Sequence, residues 1–163
     1  MDEFIEKMLI LINKFCDTLF IVDSRHNSED FPSAILKLND FTAESMVGNT
    51  PSKGDGITRE NAIKTAKTLC KKFKKTIFIT RGINGCILVD EGVIKEIPSI
   101  KITGKIDTVG AGDSMLAGIC IGLVSGQDAY NSACLGTLAA AVTIQKLYQT
   151  GTVSPEELLM MAS

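Results

Sequence analysis

The sequence carries no surplus of positive charge. Its 17 Lys and Arg are set against 19 Asp and Glu, for a formal charge of −2 and a pI near 5.4. A protein that holds nucleic acid through phosphate contacts shows the opposite balance, so that class is set aside. The one basic run, CKKFKK at 70–75, falls at a helix end, where cations complement the macrodipole. No apolar run approaches the roughly 18 residues of a membrane span. The opening MDEFIEKMLILINKF has neither the basic start nor the cleavage site of a signal peptide. Close cysteine pairs are also lacking: the five cysteines, at 16, 70, 86, 120 and 134, are odd in number and widely spaced, which excludes a zinc or redox motif. Each lies in an apolar stretch, so buried free thiols in a reducing, cytoplasmic setting are expected. Internal repeats, low-complexity tracts and a domain linker are absent, and one domain over residues 1–163 is expected.

Apolar residues are plentiful at 45%, with 22% charged, an ordinary globular balance. Phe4, Ile5, Met8, Leu9 and Ile12 recur at helical spacing. TLFIV (18–22), AILKL (34–38) and TIFIT (76–80) read as buried strands, FTAESMV as a short helix and GNTPSKGDG as a loop. Helices are predicted over about 58–73, 112–124 and 128–147. GCILVDEGVIKEIP reads as a hairpin turning at Asp90, Glu91 and Gly92. SPEELL opens a last helix with Ser154 as cap, Pro155 at its first position and Glu157 completing a capping box. The predicted fold class is α/β, a mostly parallel sheet flanked by helices, with one hairpin before the glycine turn.

That turn, DTVGAGDSMLAG at 107–118, places three glycines and two aspartates in twelve residues. The amides of Gly110, Ala111, Gly112 and Asp113 fall where loop becomes helix. The first amides of a helix lack internal partners and carry the positive end of the dipole, so they attract phosphate. A carboxylate at Asp113 could accept the proton of an attacking hydroxyl beside that anion. A glycine-rich packing turn with a capping aspartate is an equally good reading of the spacing alone. Two better-known phosphate motifs fail: Lys53 precedes Gly54 rather than following it, as a P-loop requires, and Met115 stands where a dinucleotide fingerprint needs its third glycine. His26, the single histidine, reads as a solvated loop residue in SRHNSED.

DTVGAGDSMLAG closely resembles the second signature of the ribokinase-like (PfkB) carbohydrate kinases. The order around it is similar too: IFITRGINGCILVDEGVIKEIP resembles that family's strand, Thr-x-Gly-x-x-Gly turn and hairpin. LKLND resembles its Lys-Pro-Asn-Glu region and QTGTVSPEEL its C-terminal nucleotide-side segment. DSR at Asp23–Arg25 is similar to the sugar-phosphate and heptose kinase branch. The resemblance covers the C-terminal half of the family pattern. It implies the nucleotide-binding portion of a kinase that transfers the γ-phosphate of ATP to a sugar hydroxyl, with Mg²⁺ and a monovalent cation such as K⁺. The substrate and lid half is not part of this sequence, and a half-sheet is expected to self-associate through its open edge or to join such a half.

The resemblance also implies roles. Asp113 matches the catalytic base, and Gly110, Ala111 and Gly112 match the anion hole. Thr80, Gly82 and Gly85 match the turn that contacts ATP phosphates. Independently of the resemblance, the guanidinium groups of Arg25 and Arg81 could each reach a phosphate, and Arg81 is the better candidate because it lies inside that turn. Asn39 matches the metal and phosphate region, and Gly151 lies where the family borders the adenine pocket. Asp107 and the Val109 carbonyl match positions that hold the monovalent cation. The Lys53 loop is expected to close over the nucleotide edge. One departure stands out: Thr42 occupies the position of a glutamate that orders magnesium, with Asp40 and Glu44 as nearby acids at other spacings. The alternative reading is a nucleotide-binding or assembly module without catalysis.

Overall fold

The computed structural model describes residues 2–51, 56–149 and 151–163. Two compact units share the chain, one of Met1–Ile79 with Val89–Ile94 and one of Thr80–Leu88 with Lys95–Ser163. A five-stranded sheet runs in the order β1 (Ile21–Val22), β2 (Ile35–Asn39), β3 (Ile77–Thr80), β4 (Cys86–Asp90) and β5 (Val93–Ile97). β1 pairs in parallel with β2, Ile21 opposite Ile35. Helices α2 (Asp40–Met46) and α3 (Arg59–Phe73) join β2 to β3, the crossover a parallel neighbour needs. Short turns link β3 to β4 and β4 to β5, so the sheet closes on the expected hairpin. The class is α/β, as the alternation of apolar runs and helical spacing predicts.

In the first unit, Leu36, Leu38, Leu69, Ile77, Phe78 and Ile79 are fully buried. The strands read as continuous apolar runs because both of their faces are covered. α1 (Glu3–Lys14) packs Ile5 and Ile12 with Phe31 and Ala34. A charge sits inside this core: Lys37, in the middle of β2, is 3% exposed, and its ammonium donates to the Asp23 carboxylate. Asp23, the first residue of DSR, is therefore spent on neutralising a buried lysine.

The second unit packs α4 (Ala111–Val124) on α5 (Ala129–Thr143), followed by α6 (Pro155–Ala162). The small residues of both helices let the backbones meet. A Cβ on Gly118 would lie 2.6 Å from Gly136 Cα, and one on Gly136 would lie 2.6 Å from the Met115 carbonyl oxygen. α6 carries the predicted capping box, with Ser154 Oγ accepting from Glu157 N–H and Glu157 from Ser154 N–H.

Three expectations need correction. Of TLFIV only Ile21–Val22 are extended. The helix predicted to 147 ends at Thr143, because the Gln145 and Lys146 amides turn back to the third carbonyl before them, those of Val142 and Thr143. The Ile144 carbonyl, which another turn would use, accepts from Asp107 N–H instead (2.8 Å). The thiols are free, but only Cys70 and Cys86 are buried; Cys120 and Cys134 are half-buried and Cys16 is exposed, just beyond α1. Burial pushes the thiols of Cys120 and Cys134 up, so neither is primed as a nucleophile. Among the described residues no helix is long and apolar enough to cross a membrane.

Candidate active site

Among the described residues, five of the six α-helices begin with a side-chain cap: Asp2, Asn39, Thr58, Asp128 and Ser154 each accept a first-turn amide. α4 does not. Its N-cap is Gly110, left-handed at φ +79°, and no side chain covers its first amides. Glycine adopts that conformation without strain and leaves the approach open. The Ala111 N–H donates to the Thr108 carbonyl (3.2 Å), and the first helical bond runs from Ser114 N–H to the Gly110 carbonyl (2.9 Å). The Gly112 and Asp113 amides precede that bond and have no acceptor within the helix. Both residues are exposed. Ahead of the turn, Asp107 accepts the Val109 N–H on Oδ1 (3.0 Å), which bends the loop toward Gly110. The result is an open, dipole-positive helix start with an exposed carboxylate, suited to an anion and to taking a proton beside it.

The second glycine turn follows β3. Thr80 ends the strand and Gly82–Asn84 form one 3₁₀ turn. Arg81 N–H donates to the Gly85 carbonyl (2.8 Å) and Gly85 N–H to the Gly82 carbonyl (3.1 Å). Ser99 Oγ donates to the Ile83 carbonyl (2.6 Å), tying the turn to the exit of β5. The two glycines differ in purpose. Gly82 (φ +53°) is exposed, with nothing within 4 Å of where a Cβ would stand. Gly85 (φ +79°) is buried, and a Cβ would lie 2.1 Å from the Ile97 carbonyl oxygen. Gly82 is thus open to a ligand, and Gly85 serves the packing that shapes the turn.

Asn39 ends β2 and caps α2, its Oδ1 accepting Thr42 N–H at 2.7 Å. Thr42 brings no carboxylate to this place. Glu44 cannot stand in: it is 4% exposed and its two carboxylate oxygens accept from Thr65 Oγ1 (2.6 Å) and Asn49 Nδ2 (2.5 Å). Arg25 and His26 are exposed in the loop after β1, as expected of a solvated segment. Lys53 with Gly54, and Thr150 of the QTGTVSPEEL segment, lie outside the described residues. Gly151 is half-buried against Thr143, its Cβ position 2.8 Å from Thr143 Cγ2.

Among the described residues no three His, Cys, Asp or Glu side chains gather to hold a metal ion. The Asp107 carboxylate and the backbone carbonyls of this loop are oxygen donors, the type that hard cations take. A broad cleft of 980 Å³ lies elsewhere in the first unit, at the amino ends of β1 to β3 beside Phe20, Ile35 and Thr76. Asn39 and Thr80 stand at the carboxyl ends of their strands, where α/β sheets bind ligands. Sequence reasoning passed over Ser114, Thr143 and Ile144, which bond across the α4 turn; nothing in LGTLAAAVTIQ distinguishes Thr143 and Ile144 from packing residues.

The profile of the pfkB family carbohydrate kinases matches residues 31–156. The Bifunctional protein HldE of Gluconobacter oxydans is 30% identical over 139 residues, covering 85% of this chain and 28% of that protein. Ribokinase from Thermotoga maritima superposes with a TM-score of 0.78 at 21% identity, over 96% of this chain and 52% of that one. Phosphofructokinase-2 from Escherichia coli in complex with potassium gives 0.80 at 19% identity, over 96% and 51%. The chain therefore spans about half the length of these solved structures. With the profile covering most of its residues, the uncapped α4 turn and the Thr80–Gly85 turn both falling inside the match, the chain belongs to the pfkB family of carbohydrate kinases.

Proposed function

We propose that residues 1–163 form the C-terminal, nucleotide-binding half of an ATP-dependent sugar or sugar-phosphate kinase. The observation that carries this reading is the uncapped start of α4, when the other five α-helices among the described residues are each capped by a side chain. The γ-phosphate of ATP takes the place of the missing cap, against the amides of Gly110 to Asp113. Asp113 accepts the proton of the acceptor hydroxyl as its oxygen bonds to the γ-phosphorus and the bond to ADP breaks. The amides stabilise the charge on the transferring group. Thr80, Arg81 and Gly82 contact the remaining phosphates, with Gly85 holding their turn in shape. Asn39 serves the phosphate region, and Gly151 borders the adenine. Bound magnesium would neutralise phosphate charge, held chiefly by the phosphates and water since Thr42 offers no carboxylate. Asp107 and Val109 would hold a monovalent cation beside the turn; phosphofructokinase-2 in complex with potassium supports this. The free thiols support a cytoplasmic setting.

A second reading, a nucleotide-binding or assembly module without turnover, is favoured by Thr42 and by the engagement of Glu44 in the core. Calorimetric titration of the chain with a non-hydrolysable ATP analogue, with and without Mg²⁺, tests what both share. Binding is expected, and Gly112→Val, whose branched side chain covers the open amides, should weaken it about tenfold. A folded chain that binds no nucleotide would overturn both readings.

The acceptor sugar is assigned to a substrate half, and the outer edge of β1 is where association is proposed. β1 is two residues long and ends the strand order, and Phe4, Leu11, Phe15 and Leu19 of the same unit are exposed. Light scattering should show the isolated chain growing in mass with concentration. A sharp monomer at moderate concentration would contradict this.

A further inference from the structure

The base-bearing turn is held from below by two consecutive residues at the end of α5. Ile144 accepts Asp107 N–H on its carbonyl (2.8 Å), just ahead of the turn. Thr143 Oγ1 donates to Ser114 Oγ (2.7 Å), just behind it. Ser114 is the residue whose N–H closes the first turn of α4 on Gly110, so a restraint on Ser114 is a restraint on the open amides between them. The Thr143 contact is unusual for its helix. Ser132 and Thr137, also in α5, donate to the carbonyl four residues back (2.8 and 2.9 Å), the common arrangement for a helical hydroxyl. Thr143, 1% exposed, forgoes that local bond for one across to α4. Its methyl group faces Gly151, where even a Cβ would come within 2.8 Å. A β-branched side chain has few χ1 options, and here one face is closed by Gly151 while the other is bonded to Ser114.

We infer that Thr143 is a positioning residue: with Ile144 it clamps both ends of the 107–114 turn and keeps the Gly112 and Asp113 amides pre-set for an anion. The clamp also places the Gly151 segment against the side chain that holds the turn. The consequence for phosphate binding rests on the function proposed above; the clamp itself is tested without any ligand.

The experiment uses the ¹⁵N-labelled full chain. Thr143→Val keeps the shape and removes the hydroxyl. It should speed amide exchange at Ser114 about tenfold and leave exchange in α3 unchanged. Order parameters at Gly110–Asp113 should fall from about 0.85 toward about 0.6. Thr143→Ser, which restores the hydroxyl, should restore both. Ser114→Ala approaches the same bond from the other side and should loosen the same amides, which serves if Thr143→Val fails to fold. Unchanged exchange and order parameters in the folded variants would overturn the inference. Calorimetry with the ATP analogue is read separately. If wild type binds, Thr143→Val should bind about tenfold more weakly and Thr143→Ser as wild type. If wild type binds nothing, the phosphate reading fails while the exchange data still decide the clamp.

Discussion

Replacing Gly85 by alanine is expected to unfold the second unit or cost it at least about 3 kcal/mol. Two penalties act together. A Cβ at this position would lie 2.1 Å from the Ile97 carbonyl oxygen, 3.0 Å from Ser99 N and 3.1 Å from Pro98 C, all backbone atoms that cannot swing aside. The residue also sits at φ +79°, which an L side chain adopts only with strain. Relief would require β5 to move off the Thr80–Gly85 turn, breaking the bond from Ser99 Oγ to the Ile83 carbonyl. Gly82→Ala is the control: φ is again positive, but the space is open, so its loss should be the strain alone, about 1 kcal/mol. Urea titration of both variants separates the two terms. Equal losses would show that the turn can part from β5 and that Gly85 is not a packing residue.

The second large effect is expected at Asp113. Asp113→Asn keeps the volume of the side chain and removes its ability to take a proton. On the proposed function it should lower kcat by about a hundred- to ten-thousand-fold with ATP affinity retained. The comparison belongs on the form that turns over, whether the chain itself or the chain joined to a substrate half, with ADP release followed across sugars and sugar phosphates. The structural grounds are that Asp113 is exposed in the first turn of α4 and that no bond within the fold depends on it for capping. A matching loss of ATP affinity and kcat would mean that Asp113 supports nucleotide binding and is not the base.

Much of the site is legible in the sequence because it is made of local decisions. A left-handed glycine, an aspartate accepting an amide two residues on, and a helix start are set by a few adjacent residues, and DTVGAGD spells them in order. The caps at Asn39, Thr58, Asp128 and Ser154 and the hairpin at 86–97 are local in the same sense. The second glycine turn, at Thr80, Gly82 and Gly85, was legible only through its resemblance to the family's Thr-x-Gly-x-x-Gly turn.

What the sequence alone could not assign involves partners far along the chain. Glu44 is an acid near the metal region by sequence, but its carboxylate oxygens accept from Thr65 and Asn49 in the fold. Cys16 sits in an apolar stretch yet is exposed, because α1 turns Ile5 and Ile12 to the core and ends just before it. The sequence by itself determined the α/β class and the order of elements, since periodicity, capping and turn chemistry act within a few residues, and its resemblance to a known signature pointed to the family; spacing alone left the turn at 107–113 open between an anion site and a packing turn. Only the tertiary structure decided that Gly85 serves packing, that Lys37 is buried on Asp23, that α5 stops at Thr143 and that Thr143 and Ile144 hold the turn. Each of those depends on which distant atom arrives at a given carbonyl, carboxylate or hydroxyl, and the close packing of the folded chain settles that.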